Sequence, residues 1–414
     1  MTHGADPYAR NARSQITPKV FSIKGPLDTE ALGGAVRSAA RAHSAFRTSF
    51  VPSARPGRSL QILSAETQFE VVKVVGPESG ALETAVATAA VQPFDIEGGA
   101  LGRLVIGTLT PEQHIVAVAI EHLVSDGWGF ELMLTGIQSF YNALVTGTEP
   151  PSLAPSLHHL IAVGEREWLA SVEGRNAGRF WRDELGDVGS MVPLRVPGAE
   201  IPMGLGRVRS TWHTRYLDTD TMSAIKVAAR KERMPVGALY TGSVAEAARR
   251  NGVGDELSVI SPTINRHDTQ SFNSISWASN IVTFRFRRAD GPEGHLGATA
   301  VREGYLRAMA HSRYPIHQID LDLSPEAFGA VNTTIPQLYL DTGLPGKEFE
   351  LHNLEIIELP PPPHQVPLGL AVWIRPTEGK GLKLELAHPA AYVSEEVGAS
   401  ITDTLIDLLK GVER

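Results

Sequence analysis

Two apolar runs, 101–109 and 114–120, stand only a Thr110-Pro111-Glu112-Gln113 turn apart, and no other stretch of the chain constrains its fold as much. Continuous apolar segments of this length around a turn read as a hairpin of strands buried in a core. Burying it takes a sizeable core, and 414 residues with 42% hydrophobic and 20% charged side chains supply one. The same proportions exclude a disordered, collagenous or fibrous chain. At about 100–200 residues per domain the length suggests two or three folding units, or one fold with two lobes.

Helical and strand periods alternate on both sides of that hairpin. A strand around 20–24 leads through Gly25-Pro26 into a helix N-capped by Thr29, with Leu32, Val36, Ala39, Ala40 and His43 on one face. Segments 60–64 and 69–75 read as short strands, and 81–90 as an alanine-rich helix closed before Pro93. Beyond the hairpin, Met133, Ile137, Phe140, Tyr141 and Leu144 predict a helix of about five turns. A loop over 147–155 precedes a helical region carrying Trp168, Phe180 and Trp181, and 193–209 is again loop-rich.

The second half holds helices near 219–231, 235–250 and 293–312 and strands at 257–261 and 280–287. Val282, Phe284 and Phe286 alternate there with Thr283, Arg285 and Arg287, the period of a sheet with one wet face. Strands near 335–341, 350–358, 368–375 and 380–387 are interrupted by the extended proline run 360–363. The last helix carries Val397, Ile401, Leu405 and Leu408 on one face. The expected fold class is therefore α/β, mixed α and β in both halves.

Composition narrows the chemistry. A formal charge of −8 gives no electrostatic case for nucleic acid or an anionic membrane. The absence of cysteine excludes disulfides, thiolate nucleophiles, Cys-ligated zinc and iron–sulfur clusters, so a covalent nucleophile would be Ser, Thr, Lys or a carboxylate. Residues 1–19 are polar and lack the apolar segment of a signal peptide, and the longest apolar runs are too short to span a bilayer. A cytoplasmic protein is expected. The 39 glycines and 28 prolines follow no period and read as turn punctuation.

The functional signal sits where the hairpin surfaces, in Glu121-His122-Leu123-Val124-Ser125-Asp126-Gly127-Trp128-Gly129. Histidine is the side chain suited to proton transfer near neutral pH. Taken as residues alone, Asp126 serves equally well as the cap of the following helix. Other motifs are weaker. His158-His159 has no third ligand at metal spacing, so no metal site is expected. Gly204-Leu205-Gly206 reads as a turn, and His267, His311, His317 and His388 as surface or satisfied polar positions.

The nonapeptide resembles the HHxxxDG signature of the condensation domains of nonribosomal peptide synthetases, in the superfamily that includes chloramphenicol acetyltransferase. The resemblance runs in order along nearly the whole chain. Leu27-Asp28 through Arg41-Ala42-His43-Ser44-Ala45-Phe46-Arg47-Thr48 resembles the family's early helix and its "RHExLRT" ending, and Gln92-Pro93-Phe94-Asp95 with Leu101-Gly102-Arg103 its "PFDxxxGPLxR" segment. Tyr141-Asn142-Ala143-Leu144 with Gly147, and the pair Phe180-Trp181, also match. In the second half, Ser261-Pro262-Thr263-Ile264-Asn265-Arg266 and Trp277-Ala278-Ser279-Asn280-Ile281-Val282 resemble the "GRxR" and "FVNT" segments. Two departures stand out: the first signature His is Glu121, and of the family's opening segment only Ser14-Gln15 remains.

The resemblance implies two chloramphenicol acetyltransferase-like lobes in a V shape around a central tunnel, divided as 1–165, an inter-lobe connection 166–210, and 211–414. It implies His122 as the catalytic histidine and Gly127 as the place where a backbone N–H meets the oxyanion. Asp126 and Arg266 would form a structural ion pair beside Glu121, and Trp128, Ser279 and Asn280 would contact substrate. A carboxylate at Glu121 either orients the imidazole or favours its charged form, or else points to the opposite face of the strand. The implied reaction is amide formation by a stand-alone, monomeric condensation enzyme of natural-product biosynthesis. Its peptidyl or acyl carrier proteins would act in trans and supply the phosphopantetheine arm, with no tightly bound cofactor, and a small-molecule amine would be the acceptor. A CoA-dependent or ester-forming acyltransferase, or a catalytically silent recruitment module, are the alternatives.

Overall fold

The computed structural model describes residues 16–53, 59–76, 78–153, 155–186, 192, 194–196, 199, 210–287, 296–323, 337–343, 348–359, 369–377 and 381–411. Ser14-Gln15, the Gly204-Leu205-Gly206 turn and the 360–363 proline run lie outside the described residues. The chain begins β1 (Ile16–Lys24), α1 (Thr29–Arg41), β2 (Thr48–Pro52), β3 (Ser59–Leu63), β4 (Glu70–Val74), α2 (Ser79–Ala90), β5 (Gly102–Thr110), β6 (Gln113–Glu121), α3 (Gly127–Thr146) and α4 (His158–Leu169). It continues α5 (Val172–Leu185), β7 (Ser210–Leu217), α6 (Thr219–Lys231), α7 (Val236–Arg250), β8 (Leu257–Thr263), α8 (Thr269–Phe272) and β9 (Asn280–Phe286). The remaining elements are α9 (Ala298–Ala310), α10 (Ile316–Leu323), β10 (Leu338–Asp341), β11 (Glu355–Leu359), β12 (Leu370–Thr377), β13 (Gly381–Pro389) and α11 (Glu395–Lys410).

Two compact units share this chain. The first comprises Met1–Glu167, Arg266–Ala278 and Gly346–Pro363, the second Trp168–Asn265, Ser279–Pro345 and His364–Arg414. Both are therefore discontinuous in sequence.

In the first unit the apolar runs form the antiparallel pair β5–β6, and β6 lies at the middle of a sheet ordered β11-β1-β6-β5-β4. That position explains its sequence. After Gln113 every residue of β6 is buried, and a strand covered on both faces reads as an unbroken apolar run rather than an alternation. Helix α2 packs Leu82 and Val86 against Gly107 of β5, where an added Cβ would sit 2.8 Å from either side chain. The "PFDxxxGPLxR" segment ties β5 to the end of α2: Arg103 donates to the carbonyl of Gln92 at 2.7 Å and to those of Ala89 and Ala90, and its guanidinium lies 4.5 Å from the Phe94 ring centre.

The second unit is built on a sheet ordered β7-β13-β12-β10-β8-β9, in which β10 pairs in parallel with β8 and β12 and the other pairs are antiparallel. Its core joins Val259, Val282, Phe284, Leu340, Val372 and Leu384 to Ile401 and Leu405 of α11.

Local details depart from the sequence reading in several places. Asp28, not Thr29, caps α1, because its carboxylate reaches the N–H groups of Glu30 and Ala31. The helical region from 158 to 185 breaks in two at Ser171, whose hydroxyl caps α5. The expected wet face of β9 is mostly covered: Thr283 is buried, Arg285 is covered while paired with Glu256 and donating to the Glu184 carbonyl, and of the three polar positions only Arg287, just past the strand, is exposed. An alternation can therefore mark a sheet face whose polar residues are paired rather than solvated. His388 is wholly buried against His213, with the two Nε2 atoms 3.1 Å apart.

Candidate active site

Strand β6 ends at Glu121, and the chain turns through one short helical turn, His122–Val124, before α3 begins. Asp126 is the N-cap of α3, in extended conformation, accepting from the Gly129 N–H at 2.9 Å. Gly129 packs closely there: a Cβ would lie 2.8 Å from Ser125 Oγ and 3.4 Å from the Ile275 Cα. The loop is thus pressed against the segment that follows Arg266.

Asp126 does more than cap. Arg266 donates from Nη1 to Oδ2 at 2.8 Å and from Nη2 to Oδ1 at 2.9 Å, and the Ala278 N–H donates to Oδ2 at 3.0 Å. Both side chains are buried, at 0% and 2% exposure. The guanidinium also donates through Nε to the Ser271 carbonyl and through Nη2 to the Ser276 carbonyl. A bidentate pair with its remaining donors engaged is the geometry in which a buried ion pair holds a shape, whatever its net stability. The approach to Arg266 passes through Asn265 at φ +44°, a left-handed conformation that asparagine tolerates. All of these contacts lie within the first unit.

His122 is half-buried, and its Nδ1 is sealed from solvent without a hydrogen-bond partner outside its own residue. Burial pulls the imidazole below its usual value; contact with its own backbone carbonyl and the charge of Asp126 offset part of that. A neutral imidazole at neutral pH follows, which is the form that accepts a proton. The ring packs against Trp277, centroids 4.9 Å apart at 61°.

Glu121 is fully buried, and neither carboxylate oxygen closes a hydrogen bond. Burial pushes its carboxyl above the usual range, with the backbone amides of Leu123 and His122 opposing. No ion pair joins it to His122, and the charged group acting on the imidazole is Asp126.

Gly127 is exposed at the first position of α3, where the N–H groups lack intrahelical partners. Trp128 donates its indole N–H to the Phe272 carbonyl at 2.8 Å and packs edge-on against the Phe272 ring. Ser279 and Asn280 belong to the second unit. There the Asn280 amide donates to the carbonyls of Ser312 and Tyr314 and accepts from the Ile316 N–H, fastening the start of β9 to the turn before α10.

Two parts of this arrangement escaped the sequence reading. Trp277 was visible only as the first residue of a matching segment, and nothing in its spacing tied it to His122. A buried polar seam also extends from Arg266, through the Ser274 carbonyl at 3.5 Å, the Ser274–Ser156 hydroxyl contact at 2.6 Å, and the Ser44 N–H on the Ser156 carbonyl, to His158 on Ser44 Oγ. Scattered serines give no sequence signal. Among the described residues no cluster of three or more His, Asp or Glu side chains is placed to hold a metal, and no helix is long and apolar enough to cross a membrane.

A family model described as "Condensation domain" matches residues 8–355. Malpibaldin synthetase of Mortierella alpina is 23% identical over 317 residues, which cover 73% of this chain and 6% of that protein. The chain thus spans a small fraction of the length of the curated relatives it matches. Among solved structures, the X-domain from teicoplanin biosynthesis superposes with a TM-score of 0.81 at 18% identity, over 99% of this chain and 93% of that one. The same X-domain has been solved in complex with OxyB. The condensation enzyme VibH superposes with a TM-score of 0.72 at 16% identity, over 99% and 95% of the two chains. These likenesses establish the fold.

Proposed function

The chain belongs to the condensation-domain family, and from that membership we propose that it forms an amide by transferring an acyl or aminoacyl group from a thioester to an amine. The observation that carries the proposal is His122: a half-buried, neutral imidazole beside a loop whose shape Asp126 and Arg266 hold. The amine nitrogen attacks the thioester carbonyl, and a C–N bond forms. As the tetrahedral intermediate collapses, the C–S bond breaks and the thiol leaves with the electron pair. The proton lost by the amine passes to His122 and from there to the departing sulfur, so the products are an amide and a thiol. The first N–H groups of α3, at Gly127, are suited to support the oxyanion. No acyl-enzyme is required, in keeping with a chain that has no cysteine.

The thioester is assigned to the phosphopantetheine arm of a carrier protein, as in the synthetases the chain resembles. Trp128 remains a proposed contact for the substrate, whereas the Asn280 amide is engaged wholly within the second unit. The test is mass spectrometry of products from loaded carrier proteins and candidate amines, with His122→Ala as control and a CoA-thioester arm. Product from the parent and none from the variant supports the reading; equal product from both overturns it.

A second reading is favoured by Glu121 in place of the first signature histidine and by the likeness to an X-domain that has been solved with OxyB. In it the chain recruits a partner protein without chemistry. Partner binding that is unchanged in His122→Ala, with no product under any donor, would select this reading.

A further inference from the structure

A general base is ordinarily held in place by a hydrogen bond at its second ring nitrogen. His122 has no such partner in another residue, since its Nδ1 is buried and touched only by its own backbone. Beyond that contact with its own backbone, its orientation comes from packing, and the aromatic ring packed on it is that of Trp277, 4.9 Å away between centroids. Trp277 is itself unusual: it is 42% exposed, a large apolar side chain on the surface of its unit, yet its neighbours Ser276 and Ala278 are buried. The backbone on either side is fixed to the ion pair. The Ser276 carbonyl accepts from Arg266 at 3.2 Å, and the Ala278 N–H donates to Asp126 at 3.0 Å. The indole is thus an exposed group on a rigid mount, one that the Asp126–Arg266 pair holds against the imidazole.

We propose that Trp277 is the positioning residue of the acyl-transfer site, fixing the rotation of the His122 ring and keeping water from one side of it. The inference rests on His122 being the proton acceptor. It also gives the ion pair a route to the chemistry: Asp126 and Arg266 reach the imidazole through the residue whose backbone they hold. The charged neighbour of the ring is Asp126, already engaged by Arg266, so removing the indole changes solvation of the imidazole more than its charge environment.

The experiment compares Trp277→Ala and Trp277→Phe with the parent in two readouts: the His122 imidazole titration by NMR, its signal assigned with His122→Ala, and kcat and KM for a donor and acceptor that the parent uses. In Trp277→Ala the imidazole titration moves up toward its ordinary value, and kcat falls about tenfold or more with KM changed less than twofold. Trp277→Phe, which keeps a ring against the imidazole, restores most of both. An unmoved titration with kcat within twofold of the parent overturns the proposal, as does an effect confined to KM. A moved titration together with an active His122→Ala would leave the Trp277–His122 coupling standing and overturn the role of His122 itself. Matching circular dichroism and thermal midpoints in Trp277→Phe and the parent separate positioning from folding.

Discussion

Arg266 grips both oxygens of the Asp126 carboxylate across 140 residues of chain, and neither side chain sees appreciable solvent. Removing one partner leaves the other charge buried without compensation, so Asp126→Asn and Arg266→Met are each expected to cost about 3–5 kcal/mol in unfolding free energy. Chemical denaturation measures this, and the double variant should cost less than the two singles added together. Additive losses would show that the two residues act independently.

As the proposed proton acceptor, His122 sets the expected pH dependence of the reaction. Its imidazole is held below the ordinary value of 6.5 by burial, and the neutral form is the active one. Activity should therefore stay flat as pH falls to 6.5 and drop only on the acid side of it, through the depressed value. The acid limb of kcat/KM against pH measures this. A limb at or above 6.5 would contradict a neutral base held below its ordinary value.

Glu121 should show its burial as a stability effect with the opposite sign. Its folded form binds a proton more tightly than the unfolded chain does. Its contribution is therefore fully present below the ordinary value of 4.5 and is lost as pH rises through the raised folded value. Glu121→Gln removes that loss, so it should match the parent near pH 4 and exceed it in stability at pH 7. Denaturation of both proteins at the two pH values measures the difference. The comparison cancels His43 and His158, which burial pulls down to about 4 in both proteins. Because Glu121 makes no ion pair with His122, the acid limb of activity should not move in this variant.

Asn280 fastens β9 to the turn before α10 with all of its amide, so Asn280→Ala leaves two carbonyls and the Ile316 N–H to find other partners. A loss of about 1–3 kcal/mol is expected by denaturation. Asn280→Asp, which keeps the acceptor and loses the donors, should be no better tolerated.

The β5–β6 hairpin was legible because burial on both faces writes itself into sequence as two apolar runs. The site was legible only in part. Taken alone, Asp126 reads as a helix cap, which it is; its bond to Arg266 came into view through the order of resembling segments, since nothing local links residues so far apart. The Arg285 face of β9 was misread because a buried, paired arginine and a solvated one look the same in an alternation. Trp277 and the serine seam stayed hidden for the same reason: tertiary contact between distant, ordinary residues leaves no periodic trace.

The first unit borrows Arg266–Ala278 and Gly346–Pro363 from the later part of the chain, and this governs how the protein can be recombined. A crossover placed anywhere between 168 and 265 would bring in a foreign Arg266, a foreign Trp277 and a foreign β11 while keeping the native His122 and Asp126. Exchange of the two units as cassettes therefore needs five junctions rather than one. Variation at Asp126, Arg266 and Trp277 should be inherited as a set, despite the stretch of chain between them.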